Sequence, residues 1–182
     1  MAGRACGVRS RLTDKDTIEI TTFLIQHPWL SPVALVLLIV LGPIVGRWLV
    51  PRPTIAWLLL GISLLPVAVT TLIPVDRRTE EFCVVQWALP TPGRVELMAN
   101  LVLFVPSALL LAVATRRPVL APLLGAGLSA AIELVQALVA AIGRSCDTTD
   151  WTSNTMGAAI GAALGWVALR LARRWPAPVS RR

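Results

Sequence analysis

Five stretches of this chain stay apolar for about twenty residues at a time, and charged residues gather between them. The stretches cover residues 30–50, 54–73, 97–114, 119–142 and 151–171. A helix of about twenty residues is about 30 Å long, the thickness of a bilayer's hydrocarbon core, and it satisfies its own backbone hydrogen bonds there. The expected fold class is therefore all-α: a polytopic transmembrane helix bundle of about five spans. Composition points the same way, with 55% hydrophobic residues, 15% charged residues and a mean hydropathy of +0.72. Soluble domains hold about 45–50% apolar and about 25% charged residues. A length of 182 residues leaves no room beside the spans for a separate soluble domain.

The chain divides accordingly. Residues 1–29 form a polar N-terminal segment, interfacial over 17–26, without the compact apolar core and cleavage site of a signal peptide. Residues 30–73 hold two largely apolar spans joined by the Pro51, Arg52, Pro53 turn, where neither proline can continue the preceding helix. A loop over 74–96 leads into a three-span core over 97–171, and a basic tail occupies 172–182. Trp29, Trp48, Trp151 and Trp175 lie at span ends, as an interfacial aromatic belt requires. Gly157, Gly161 and Gly165 recur every fourth residue and give the last span a smooth face for helix packing, and Gly42 and Gly46 do the same in the first.

The net charge of +7 comes from arginines at span ends and in the tail, with one lysine, Lys15. No nucleic-acid-binding motif accompanies them, so a nucleic-acid partner is not expected. Arg47, Arg52, Arg116, Arg117, Arg170, Arg173, Arg174, Arg181 and Arg182 fall on one side of the membrane, all near a span end. The other side holds Arg77, Arg78, Arg94, Arg144 and the more distant N-terminal charges. The positive-inside rule then puts the C-terminus in the cytoplasm, with the N-terminus and the 74–96 and 143–150 loops outside. Cys83 and Cys146 lie in those two loops on one face; a disulfide and two unpaired thiols are both open readings, and Cys6 has no evident partner.

Polar residues within or beside the spans are costly in hydrocarbon and mark the place to look for function. Glu133 stands ten residues before Gly143, about 15 Å along a continuous helix, with Gln136 one turn further on the same face. Asn100 sits one turn into the third span, and Pro106 beyond it frees a backbone carbonyl and bends the helix. Arg144, Asp147, Asp150 and Asn154 lead into the fifth span, the last three sharing a stripe if helix begins near Asp147, with Asp150 a candidate N-cap. Carboxylates and amides converging at one membrane face suit a divalent cation held through oxygen ligands, a cationic or polyhydroxylated group, or proton transfer. Nucleophile-elbow, zincin and phosphate-loop motifs are absent, and the single histidine, His27, precedes the first span outside this cluster.

The string Asn100-Leu-Val-Leu-Phe-Val-Pro106, then Glu133-Leu-Val-Gln136, then Arg144, Asp147, Asp150, Asn154, Gly157 and Gly161, resembles the VanZ-like family over residues 96–171. Those are small bacterial membrane proteins named for one that confers low-level teicoplanin resistance. The resemblance implies a multi-pass protein of the bacterial plasma membrane that reduces glycopeptide or lipoglycopeptide action. Its partners would be the bilayer and a lipid-linked wall precursor or the antibiotic. Ala108 departs from the family's usual glycine two residues after the proline. Two other classes stay open: a membrane-embedded transferase or hydrolase on a lipid or wall precursor, with the same carboxylates and a metal, and a small transporter component that would oligomerise through its glycine faces.

Overall fold

The computed structural model describes residues 26–74 and 82–174. Among them are five helices, each long and apolar enough to cross a membrane. They are α1 (Leu30–Leu49), α2 (Pro53–Leu72), α3 (Val95–Thr115), α4 (Leu120–Leu138) and α5 (Thr148–Arg174). Two short strands, β1 (Cys83–Val84) and β2 (Cys146–Asp147), complete the order, β1 before α3 and β2 before α5. The chain is a multi-pass membrane protein.

Local chemistry sets the helix ends. Pro53 occupies the first turn of α2, where its missing N–H costs nothing. At the end of α3 Arg116 takes a left-handed conformation (φ 56°), the Thr115 hydroxyl donates to the Leu111 carbonyl at 2.7 Å, and Pro118 follows. The fourth span is shorter than its apolar run over 119–142. Val139 leaves helical geometry (φ −104°, ψ 82°), a single 3₁₀ turn covers Ala140–Ile142, and Gly143 reverses the chain at φ 68°. Periodicity does not register this break, because the residues on both sides of it are apolar. The fifth helix starts earlier than residue 151 and ends later than 171, and at 27 residues it exceeds what the hydrocarbon core needs.

Helix α3 is the hub. It packs along α5 and also meets α1, α2 and α4, whereas α1 and α2 make little contact although one short turn joins them. Eleven residues of α3 are buried, including Leu101, Phe104, Val105, Ser107 and Ala108. Lipid offers no hydrophobic drive between helices, so association rests on close contact and hydrogen bonds. The α5 glycines provide that contact: a Cβ at Gly157 would run into the Leu101 carbonyl, one at Gly161 into the Val105 carbonyl, and one at Gly165 would stand 2.6 Å from the Ala112 Cβ. The Ala108 methyl is accommodated opposite Gly161, where a Cβ would stand 2.8 Å from it. Alanines 108, 112, 121, 158 and 162 form a second core joining α3, α4 and α5. Ser63 of α2 and Ser107 of α3 meet hydroxyl to hydroxyl at 3.0 Å. Leu37, Val40, Leu41 and Ile44 on α1, and Leu58, Ile62 and Leu65 on α2, face outward, as lipid-facing residues must.

The alternating helices give the bundle two unlike ends. One carries the loops before α3 and α5 with Glu96, Glu133, Asp147 and Asp150; the other carries the short turns after α1 and α3 and the end of α5, with seven arginines at 47, 52, 116, 117, 170, 173 and 174.

Candidate functional site

The site at the acidic end is organised around the start of α5. Helix begins at Thr148 because Asp147 caps it: Asp147 Oδ1 accepts the Thr149 N–H at 2.7 Å. The cap is thus Asp147, and Asp150, the residue expected from sequence as a candidate N-cap, lies inside the first turn. Asp147 has two further partners. Its own N–H donates to Glu133 Oε2 of α4 at 2.7 Å, and its Oδ2 accepts the Gln86 Nε2–H at 3.0 Å. Gln86 follows β1, and its backbone N–H donates to the Thr148 hydroxyl at 3.0 Å while its carbonyl accepts from the hydroxyls of Thr148 and Thr149.

What holds that loop against α5 is a covalent and backbone clamp. Cys83 and Cys146 form a disulfide with their Cα atoms 4.5 Å apart. The strands pair in parallel, Cys83 opposite Cys146 and Val84 opposite Asp147. This pairing carries Gln86 alongside Thr148 and Thr149. Gln86 was not evident as a site residue in the sequence; the signal that finds it is the cysteine pair, since parallel register brings together the residues that follow each cysteine.

Asp150 receives the Asn100 Nδ2–H of α3 at 2.7 Å on its Oδ1, so α3 and α5 are tied at the site. Asn100, Glu133, Arg144, Asp147 and Asp150 are all half-buried. Glu133 lies within electrostatic reach of Asp147, Asp150 and Arg144, and Asp150 within reach of Arg144 and Glu96. The early end of α4 places Glu133 five residues from the helix terminus, about 8 Å, where a continuous helix would have put it about 15 Å down. It therefore lies in the last two turns of α4, at the acidic end of the bundle.

One helical turn below Asp150, Asn154 is buried at 3% exposure and donates from Nδ2 to the Ser129 hydroxyl of α4 at 2.9 Å. Its Oδ1 is buried and accepts no hydrogen bond among the described residues. Trp151 Nε1 donates to the Ala126 carbonyl at 3.2 Å, adding a second tie between α4 and α5. Gln136 lies one turn beyond Glu133 on α4 and is buried. Its Nε2 donates to the Thr71 carbonyl at 2.9 Å, one of the carbonyls left open in the last turn of α2. It joins α4 to α2 and does not bond to any residue of the carboxylate group. Pro106 is half-buried inside α3, six residues beyond Asn100 and away from the carboxylates. The Asp76 to Glu81 part of the loop, Cys6 and residues 175–182 of the basic tail, Trp175 among them, lie outside the described residues.

The result is an acceptor-rich cluster, three carboxylates with one guanidinium at one end of the bundle. Carboxylates of this kind accept hydrogen bonds from amines and hydroxyls and can exchange protons with them. Among the described residues no group of three or more His, Cys, Asp and Glu side chains is arranged to hold a metal ion.

A family model described as VanZ/LLP1 matches residues 29–170. The chain belongs to the VanZ/LLP1 family. The match begins immediately before α1 and ends inside α5, so the VanZ/LLP1 unit is the whole five-helix bundle, wider than the 96–171 stretch that carries the sequence resemblance. In this VanZ/LLP1 protein the first two spans are thus part of the family's architecture, with α2 joined to α4 through Thr71 and Gln136. No curated protein and no solved structure matches the chain.

Proposed function

We propose that this VanZ/LLP1-family protein reduces the action of teicoplanin-type glycopeptide or lipoglycopeptide antibiotics, using the cluster around Asp147 and Asp150 as an outward-facing polar pocket in a bacterial plasma membrane. The observation that carries the reading is the Asn100–Asp150 hydrogen bond beside the Glu133–Asp147 contact, with Asn154 Oδ1 buried below them. Carboxylates at a membrane edge accept from the amino and hydroxyl groups that glycopeptides and lipid-linked wall precursors present. The arginine-rich end faces the cytoplasm, which puts the cluster and the disulfide on the outer side, where wall synthesis and these antibiotics meet.

The test is expression in a susceptible Gram-positive host with measurement of the teicoplanin inhibitory concentration. The wild-type chain raises it; Asp150→Asn and Glu133→Gln, present in the membrane at equal amounts, abolish at least about three quarters of the rise, an effect of about tenfold at the site. Full retention by both variants sinks the pocket reading, and no rise with wild type sinks the resistance reading.

The closeness of Glu133, Asp147 and Asp150 also favours a second reading, a transferase or hydrolase acting on a lipid or wall precursor, with one carboxylate as base. Mass spectrometry of wall precursors with and without the protein separates the two: a mass change assigns the enzyme, and unchanged precursors with a raised inhibitory concentration assign the binding protein.

A further inference from the structure

The opposite end of the bundle is the other chemical extreme. Residues 26–74, 97–132 and 151–182 contain no aspartate or glutamate, so every acidic side chain of the described residues belongs to the other end. Three arginines of the basic end, Arg47, Arg52 and Arg116, line one cleft of about 460 Å³, together with Ile44, Trp48 and Ala172.

Two of the arginines are positioned by the carbonyls that α1 leaves open at its C-terminus. Arg52 donates to the Trp48 carbonyl at 2.6 Å and lies over the Trp48 ring at 4.3 Å. Arg116, brought in by its left-handed backbone at the end of α3, donates to the Val50 carbonyl at 3.3 Å. Each bond uses one of the five N–H donors of a guanidinium, and neither arginine pairs with a carboxylate among the described residues. The cleft is also amphipathic. Ile44 and Trp48, 61% and 51% exposed, belong both to its lining and to the outward stripe of α1 that includes Leu37, Val40 and Leu41. A soluble anion would have no use for that apolar continuation.

We propose that this cleft binds the phosphate headgroup of an anionic phospholipid, with the acyl chains lying along the outward face of α1. Guanidinium groups match phosphate oxygens in pairs, and the Trp48 ring marks the depth at which headgroup gives way to hydrocarbon. The site shares no residue with the carboxylate cluster and stands or falls separately from the proposed function.

Native mass spectrometry of the full-length protein from detergent tests it, with phosphatidylglycerol and phosphatidylcholine offered at equal concentration. The wild type retains phosphatidylglycerol preferentially. Arg52→Gln with Arg116→Gln binds it about thirtyfold more weakly, about fivefold for each arginine near the surface, whereas Arg173→Gln with Arg174→Gln changes it by less than about twofold. If the first double variant loses its monodisperse peak on size-exclusion chromatography, the single variants Arg52→Gln and Arg116→Gln are read instead, at about fivefold each. Equal retention of the two lipids, or undiminished retention in the Arg52 and Arg116 variants, overturns the proposal. Displacement of the lipid by an equal concentration of inorganic phosphate overturns it too, by assigning the cleft to a free anion.

Discussion

Asp147 serves three neighbours at once: its Oδ1 caps α5, its Oδ2 holds Gln86 and its N–H reaches Glu133. An asparagine keeps the capping oxygen and loses the charge, and its amide N–H can donate to the Gln86 amide oxygen once that amide turns over; an alanine loses both contacts. Asp147→Ala is therefore expected to destabilise the protein by about 0.5–2 kcal/mol, a fall in Tm of several degrees for a chain of this size, followed by circular dichroism in detergent. Asp147→Asn stays within about 1 °C of wild type, so any effect it has in the test of the proposed function reports on charge at the site and not on the fold. An alanine variant as stable as wild type means that something other than this cap starts α5. At this scale the sequence was informative about which residues are polar and poor about whom they bond. Asn100, Glu133, Asp147 and Asp150 stand out because charge and amide groups are scarce near spans, but Gln136 does too, and it serves the end of α2. Gln86 and Ser129 do not stand out at all, because a glutamine in a loop and a serine in a helix are ordinary residues until a partner is placed against them.

Among the elements, the pairing of α3 with α5 is the most exacting. Where a glycine faces a backbone carbonyl no side chain can move aside to make room. Gly157→Leu is expected to cost more than the usual 1–3 kcal/mol or so of overpacking, because Leu101 contributes backbone at that point. Gly61→Leu and Gly127→Leu place their side chains where a Cβ meets nothing within 4 Å, and serve as controls. Fluorescence-detected size-exclusion chromatography should show a collapsed monodisperse peak for Gly157→Leu and an unchanged one for the controls. A normal peak for Gly157→Leu would mean that the two helices are further apart than described. The every-fourth-residue spacing identifies the packing face of α5 in the sequence, but not its partner. The end of α4 is the converse case: a 3₁₀ turn of three apolar residues extends an apolar run without extending the helix, and only the backbone angles reveal it.

For the whole molecule, the separation of charge between the two ends predicts its orientation. With the seven-arginine end in the cytoplasm, a C-terminal green fluorescent protein fusion fluoresces and a C-terminal alkaline phosphatase fusion is inactive. In a Cys6→Ser background, Cys83 and Cys146 resist maleimide until a reductant is added. An active phosphatase fusion reverses the orientation and removes the outward-facing pocket with it. The number and rough position of the spans, the uneven distribution of arginine and the existence of a polar cluster were determined by sequence alone. Each follows from a transfer energy that acts on residues one at a time: apolar runs partition into hydrocarbon, charges stay at its edge, and helix is the form a lone span must take. The tertiary structure decided what depends on two distant residues meeting. It pairs Asn100 with Asp150 and Glu133 with Asp147, brings Glu133 within two turns of the end of α4, and draws Arg52 and Arg116 to one cleft. Such meetings depend on helix order and on where α4 stops, and hydropathy records neither.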